Sequence, residues 1–126
     1  MAIDLLNLQP QQISRSLQGK FILCYGPPKV GKTTLASELD QALIVSFEAG
    51  TNALHNVLVQ PILKWTDWKA VVRQLIRDKE KLKDKIHTVV MDTADEAYKL
   101  CEKYVCDQAG VDSIRDVAAY GRTPAA

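Results

Sequence analysis

Apolar positions fall into two kinds of pattern, short unbroken runs and helically spaced stripes, and the two kinds alternate along the chain. Lys20 to Tyr25 is an apolar run closed by Gly26-Pro27-Pro28, which predicts a buried strand and then a forced turn. Leu35, Ala36 and Leu39 share a helical face, so a helix is expected from about Lys32 to Leu39. Ala42 to Phe47 reads as a second buried strand, stopped by Glu48-Ala49-Gly50. From Thr66 onward, Trp68, Val71, Val72, Leu75 and Ile76 recur at i, i+3, i+4, i+7 and i+8, the stripe of an amphipathic helix packed on a core. Ile86 to Met91 is rich in β-branched residues and predicts a third strand. Thr93-Ala94-Asp95-Glu96 has the capping-box pattern. Behind it Ala94, Ala97, Tyr98, Cys101 and Val105 mark one face of a helix ending near Gly110.

The segments between these are less regular. Gln9 to Gln18, with Pro10 at a possible helix start, reads as a short helix or a loop. Thr51 to Val59, broken by Pro61, reads as a loop with a turn of helix. The resulting order is strand, helix, strand, loop, helix, strand, helix. That order predicts an α/β fold with a parallel sheet and helices on its faces.

Length and composition fit this picture. A chain of 126 residues can build one core and is short for two domains. One domain over residues 1–126 is expected, with 1–18 as an N-terminal extension and 111–126 as a loop-like tail. Hydrophobic residues at 47% and charged residues at 25% match a folded globular protein and exclude a disordered chain. The formal net charge of +1 provides no global field for DNA or anionic lipid, so any nucleic-acid contact must be local. Neither a signal peptide nor a run of about eighteen apolar residues is visible, and a cytoplasmic, membrane-free protein is expected. Cys24, Cys101 and Cys106 are odd in number and form no CxxC. Reduced thiols are expected rather than a disulfide framework or zinc site.

The candidate chemistry begins at Gly26-Pro27-Pro28-Lys29-Val30-Gly31-Lys32-Thr33, which satisfies G-x-x-x-x-G-K-[ST] between a predicted strand and a predicted helix. Glycines at both ends let successive backbone N–H groups turn inward, and the following helix adds the positive end of its dipole. Such a loop binds the phosphates of ATP or a close relative. Lys32 would reach the β- and γ-phosphates, Thr33 would ligate Mg²⁺, and Thr34 would bond a phosphate oxygen further back. The competing reading is a Gly/Pro turn that fits the pattern by chance, and both flanks weigh against it.

Two carboxylates are candidate partners. Asp92 closes the third predicted strand at the carboxyl edge of the sheet, where it could hold the metal's water shell or merely complement a helix dipole. Glu48 follows the second predicted strand and would face the same crevice, placed to deprotonate an attacking water, or it is an ordinary strand-ending acid. His55, His87, Trp65 and Trp68 read as structural. Lys79, Lys81, Lys83 and Lys85 read as a solvated helix end rather than a DNA patch.

Tyr25 to Ala36, then Val45 to Gly50, then Val89 to Thr93 together resemble the phage-type AAA/RecA-like ATP-binding proteins, some of which act with single-strand-annealing recombination systems. The segment Tyr98 to Cys106 and Asp116 to Arg122 is also similar. The resemblance implies that Lys32 and Thr33 are the Walker A lysine and hydroxyl, Asp92 the Walker B aspartate and Glu48 the catalytic glutamate. No acid directly follows Asp92, which favours the RecA-like assignment. It further implies a RecA-like parallel sheet, ATP and Mg²⁺ as cofactors, and single-stranded DNA or a recombination protein as partners, with homo-oligomer formation in view. Proteins of this group continue with further strands, one of them between the Walker A and Walker B strands. This chain stops at Ala126, so an incomplete, truncated sheet is expected.

Three functions are compatible with these residues. The first is an ATPase supporting phage DNA recombination or replication. The second is a module that binds nucleotide or a partner without turnover. The third, a small P-loop kinase, is weakened by the lack of an arginine-rich lid segment.

Overall fold

The computed structural model describes residues 3–48 and 56–116. Its elements are α1 (Lys32–Ser37), β1 (Ala42–Ser46), β2 (Leu58–Pro61), α2 (Trp65–Arg77), α3 (Lys79–Leu82), β3 (Thr88–Asp92) and α4 (Ala94–Ala109). The strands form one parallel sheet in the order β2-β1-β3, so the predicted α/β architecture is observed. The connection from β2 through α2 to β3 crosses over the central strand, as parallel pairing demands.

β1 is apolar on both faces because it is covered on both. All five of its residues are buried. Leu43, Val45 and Phe47 point to the face carrying Ile62 and Ala97, against which Trp65, Trp68, Val71, Leu75 and Leu100 pack from α2 and α4. Phe47 and Trp68 meet edge to face, with centroids 5.8 Å apart. On the opposite face Ile44 is fully buried, and α1 packs against the same strand.

Register decides which residues meet at the carboxyl edge. Ser46 pairs with Asp92 and with Pro61. The ladder continues one step further, where the Phe47 amide donates to the Asp92 carbonyl at 2.7 Å. The residues following β1 and β3 therefore emerge side by side. α4 opens at Thr93 and ends at Gly110, whose left-handed backbone (φ 67°) suits a residue without Cβ.

Several expectations are corrected. The run Lys20 to Tyr25 is not a strand: it pairs with nothing in the sheet, and Phe21 and Tyr25 are 95% and 87% exposed. An apolar run becomes a strand only when an edge satisfies its amides and carbonyls, and propensity alone does not provide that edge. Among the described residues β3 has a partner only on its β1 side, and Val89 and Met91 are 43% and 40% exposed. Leu58–Pro61, expected within or beside a loop, is instead the edge strand β2, a place where proline's missing N–H is tolerated. α1 is shorter than expected, ending at Ser37. Ile76 belongs to the outer face of α2, at 70% exposure, and Tyr98 to the outer face of α4. Gln9 to Gln18 is loop. His55, Tyr120 and Gly121 and most of the predicted tail lie outside the described residues, and residues 114–116 begin a helical turn.

Candidate functional site

The predicted site residues converge on one open cavity of about 1070 Å³ at the carboxyl edge of the sheet. Gly26, Pro28, Lys29, Gly31, Lys32, Thr33 and Thr34 line it from the loop and α1, and Glu48 and Asp92 line it from the ends of β1 and β3. Pro27 and Val30 do not line the cavity. Pro27 contributes its carbonyl to the loop's interior, and Val30 packs back over Gly26.

The loop owes its shape to two left-handed residues. Lys29 has φ 61° and Gly31 has φ 100°, the latter a value that side-chain-bearing residues rarely adopt. Gly31 is also the N-cap of α1 and carries no side chain to cap it, so the first amides of that helix have no side-chain acceptor from the cap. The Lys32 ammonium folds across the loop and donates to the carbonyls of Gly26 and Pro27, both at 2.7 Å. These contacts fix the loop as a ring around a cation.

Thr33 and Asp92 are 59 positions apart in sequence, yet the Thr33 hydroxyl donates to Asp92 Oδ2 at 2.9 Å. This contact is partly buried and links α1 to the end of β3. A hydroxyl and a carboxylate are hard oxygen donors, and oxygen sets with few protein ligands suit Mg²⁺, which keeps several waters. No cluster of three His, Cys, Asp or Glu residues suited to an all-protein metal site exists among the described residues. The donor set thus fits a cation shared with phosphate oxygens rather than a closed metal centre.

Glu48 is exposed at its side chain and held at both ends. Buried Ser46, at 2% exposure, donates its hydroxyl to the Glu48 carbonyl at 2.8 Å. The Thr93 hydroxyl donates to Glu48 Oε1 at 3.1 Å. The capping-box pattern makes Thr93 a side-chain cap for α4, and the structure corrects that expectation. Thr93 occupies the N-cap position without a side-chain cap bond, and Glu96, expected to complete the box, pairs with Lys99 at 2.6 Å. That pairing holds the Lys99 ammonium above its ordinary pKa.

Tyr98 and Lys99, from the first turns of α4, also face the cavity, as does Tyr25. Of the residues expected on the apolar face of α4, Ala97 does face the core, with Leu100 beside it, whereas Tyr98 lines the cavity. A smaller depression of about 300 Å³ lies along the far end of α4. Its lysines, Lys99 and Lys103, are paired with Glu96 and Asp107, and it gathers no phosphate-binding loop. Of the cysteines, Cys24 is exposed beside the large cavity and Cys106 is buried, and burial raises the Cys106 thiol pKa. His87 lies at the opposite edge of the sheet, with Nδ1 2.7 Å from Asp40 Oδ2, a structural contact far from the loop. The lysine run after α2 is exposed, with Lys83 paired to Glu80. Among the described residues no helix is long and apolar enough to cross a membrane.

A parallel α/β sheet with a glycine-lysine loop leading into a helix, and an aspartate at the end of a neighbouring strand, defines a P-loop nucleotide-binding architecture. The family model for the AAA domain matches residues 18–124, and the chain belongs to that family. It is 38% identical over 116 residues to the SPbeta prophage-derived uncharacterized protein YorG of Bacillus subtilis (strain 168). The match takes in 92% of this chain and 36% of YorG, so the chain spans about a third of that relative's length. No solved structure matches.

Proposed function

We propose that this chain is the nucleotide-binding part of a RecA-like ATPase that holds ATP with Mg²⁺, hydrolyses it, and serves phage DNA recombination or replication. The observation that carries this reading is the Thr33–Asp92 hydrogen bond, which places a hydroxyl and a carboxylate from distant parts of the chain beside the Lys32 loop. Family membership and the relationship to a prophage-derived protein support the same reading.

The roles follow from position. The loop amides and the Lys32 ammonium would hold the phosphates, with Lys32 exchanging two carbonyl acceptors for phosphate oxygens. Thr33 and Asp92 would hold the cation directly or through its waters. Bound there, Mg²⁺ would draw charge from the phosphate oxygens and stabilise the charge that develops on them during transfer. Glu48, emerging from the end of β1 beside Thr93, would accept a proton from the attacking water.

A second reading, a module that binds nucleotide without turnover, is favoured by one observation. β3 lacks a strand on its outer edge among the described residues, and groups on further strands would be missing from the site. Phosphate release from purified chain with ATP and Mg²⁺, with and without single-stranded DNA, separates the two. Release that depends on Lys32 and rises with single-stranded DNA supports the first reading. Bound nucleotide recovered intact after hours supports the second.

A further inference from the structure

We infer that Thr93 is a positioning residue for hydrolysis, its hydroxyl orienting the Glu48 carboxylate toward the attacking water, an inference that rests on the reading of Glu48 as the proton acceptor. The first support is the bond itself, from Thr93 Oγ1 to Glu48 Oε1 at 3.1 Å, joining residues 45 positions apart. The second is what the hydroxyl does not do. Thr93 stands at the N-cap of a sixteen-residue helix, within a sequence pattern made for reciprocal capping, yet makes no side-chain cap bond. An N-cap hydroxyl ordinarily stabilises its helix by bonding a free amide of the first turn, and here that contact is absent while the hydroxyl bonds Glu48. The third is that Glu48 is held independently at its backbone, through Ser46 and through the Phe47–Asp92 ladder bond. Only the side-chain torsions remain to be set.

Setting them matters because a glutamate side chain has three rotatable bonds, and fixing them in a reactive geometry is a cost otherwise met during the reaction. Threonine suits the task, since its branched Cβ restricts χ1 and its hydroxyl can donate to an ionised carboxylate, which only accepts. With Oε1 occupied by Thr93, Oε2 accepts no hydrogen bond among the described residues and is left for water. In the step served, Glu48 takes a proton from water as the oxygen bonds to the γ-phosphorus and the bond to the bridging oxygen breaks, ADP carrying away that electron pair. Thr93 touches none of the reacting atoms.

The test uses Thr93→Val, which keeps the branched shape without the hydroxyl, Thr93→Ser, which restores the hydroxyl, and both in the Glu48→Gln background. Affinity for Mg·ATP should stay within about 2-fold in each. Turnover should fall on the order of 10-fold in Thr93→Val, recover in Thr93→Ser, and show no further loss when Thr93→Val is added to Glu48→Gln. A loss of equal size in that background would overturn the proposal, because Thr93 would then act independently of Glu48. A chain that binds Mg·ATP and releases no phosphate would also count against it. One readout needs no nucleotide: in 13C-glutamate-labelled protein the Glu48 carboxyl resonance should move in Thr93→Val and return in Thr93→Ser, and a resonance unmoved in Thr93→Val sinks the pairing. Failure to bind Mg·ATP at all would refute the broader functional reading instead, while the resonance still decides whether the contact exists.

Discussion

At the residue scale, the proposed site rests on four side chains, and the sequence exposes them unequally. Lys32 and Thr33 are legible because a phosphate loop needs a fixed spacing of glycines, ammonium and hydroxyl, which few other structures require. Asp92 and Glu48 are legible only as acids that close apolar runs. Their convergence depends on strand register, which composition does not encode, and the Ser46–Asp92 pairing supplies it. Replacing Glu48 by Gln keeps size and hydrogen bonding but removes the basic carboxylate. Binding of Mg·ATP should be retained while turnover falls roughly 10²-fold or more, measured by single-turnover phosphate release. Equal rates in variant and wild type would move the base elsewhere. Thr93 stayed hidden because Thr-x-x-Glu before a helix already has an ordinary explanation. Only the observed hydrogen bond to Glu48 shows that the ordinary explanation does not hold here.

At the scale of elements, the periodic segments were the readable ones. α2 and α4 form where the apolar stripes occur, β1 where an apolar run occurs, and β3 where the run is rich in β-branched residues. Lys20 to Tyr25 shows the limit of that reasoning, since the run has strand composition and lacks an edge to pair with. β2 shows the converse, a short segment ending in proline that is a strand because β1 offers it an edge. The amino edge of the sheet has its own tie, in which His87 on the approach to β3 meets Asp40 before β1, and Thr88 donates to the Asp40 carbonyl at 2.9 Å. The hydrogen bond that His87 donates to the Asp40 carboxylate raises the His87 pKa above its ordinary 6.5, with the nearby Asp84 carboxylate acting in the same direction. A pKa raised by folding means that the stabilisation is full below the unfolded value and is lost as pH rises through the folded value. Asp40→Asn should therefore lower Tm most near about pH 6 and hardly at all near about pH 8.5. A deficit that grows with pH would contradict this assignment.

At the scale of the molecule, the fold is a narrow sheet whose order rests on one buried strand. Ile44 is fully enclosed and Val89 is 43% exposed, although both are β-branched residues in strands. Ile44→Ala should cost about 2–5 kcal/mol and Val89→Ala well under half of that, as read from urea unfolding. Comparable losses would mean that β3 is covered in solution by something beyond the described residues. Family membership extends over residues 18–124, and the relative YorG is about three times as long as the matched region. For this chain, the Lys32 loop is proposed to bind a Mg²⁺-associated nucleoside triphosphate. An equilibrium titration with fluorescent ATP, with and without Mg²⁺, tests it on wild type and Lys32→Ala. The account predicts saturable, Mg²⁺-dependent binding that weakens by about 1.5–3 kcal/mol, roughly 10-fold to 150-fold in Kd, when the ammonium is removed. Binding of equal strength in both proteins, or none in either, would contradict it.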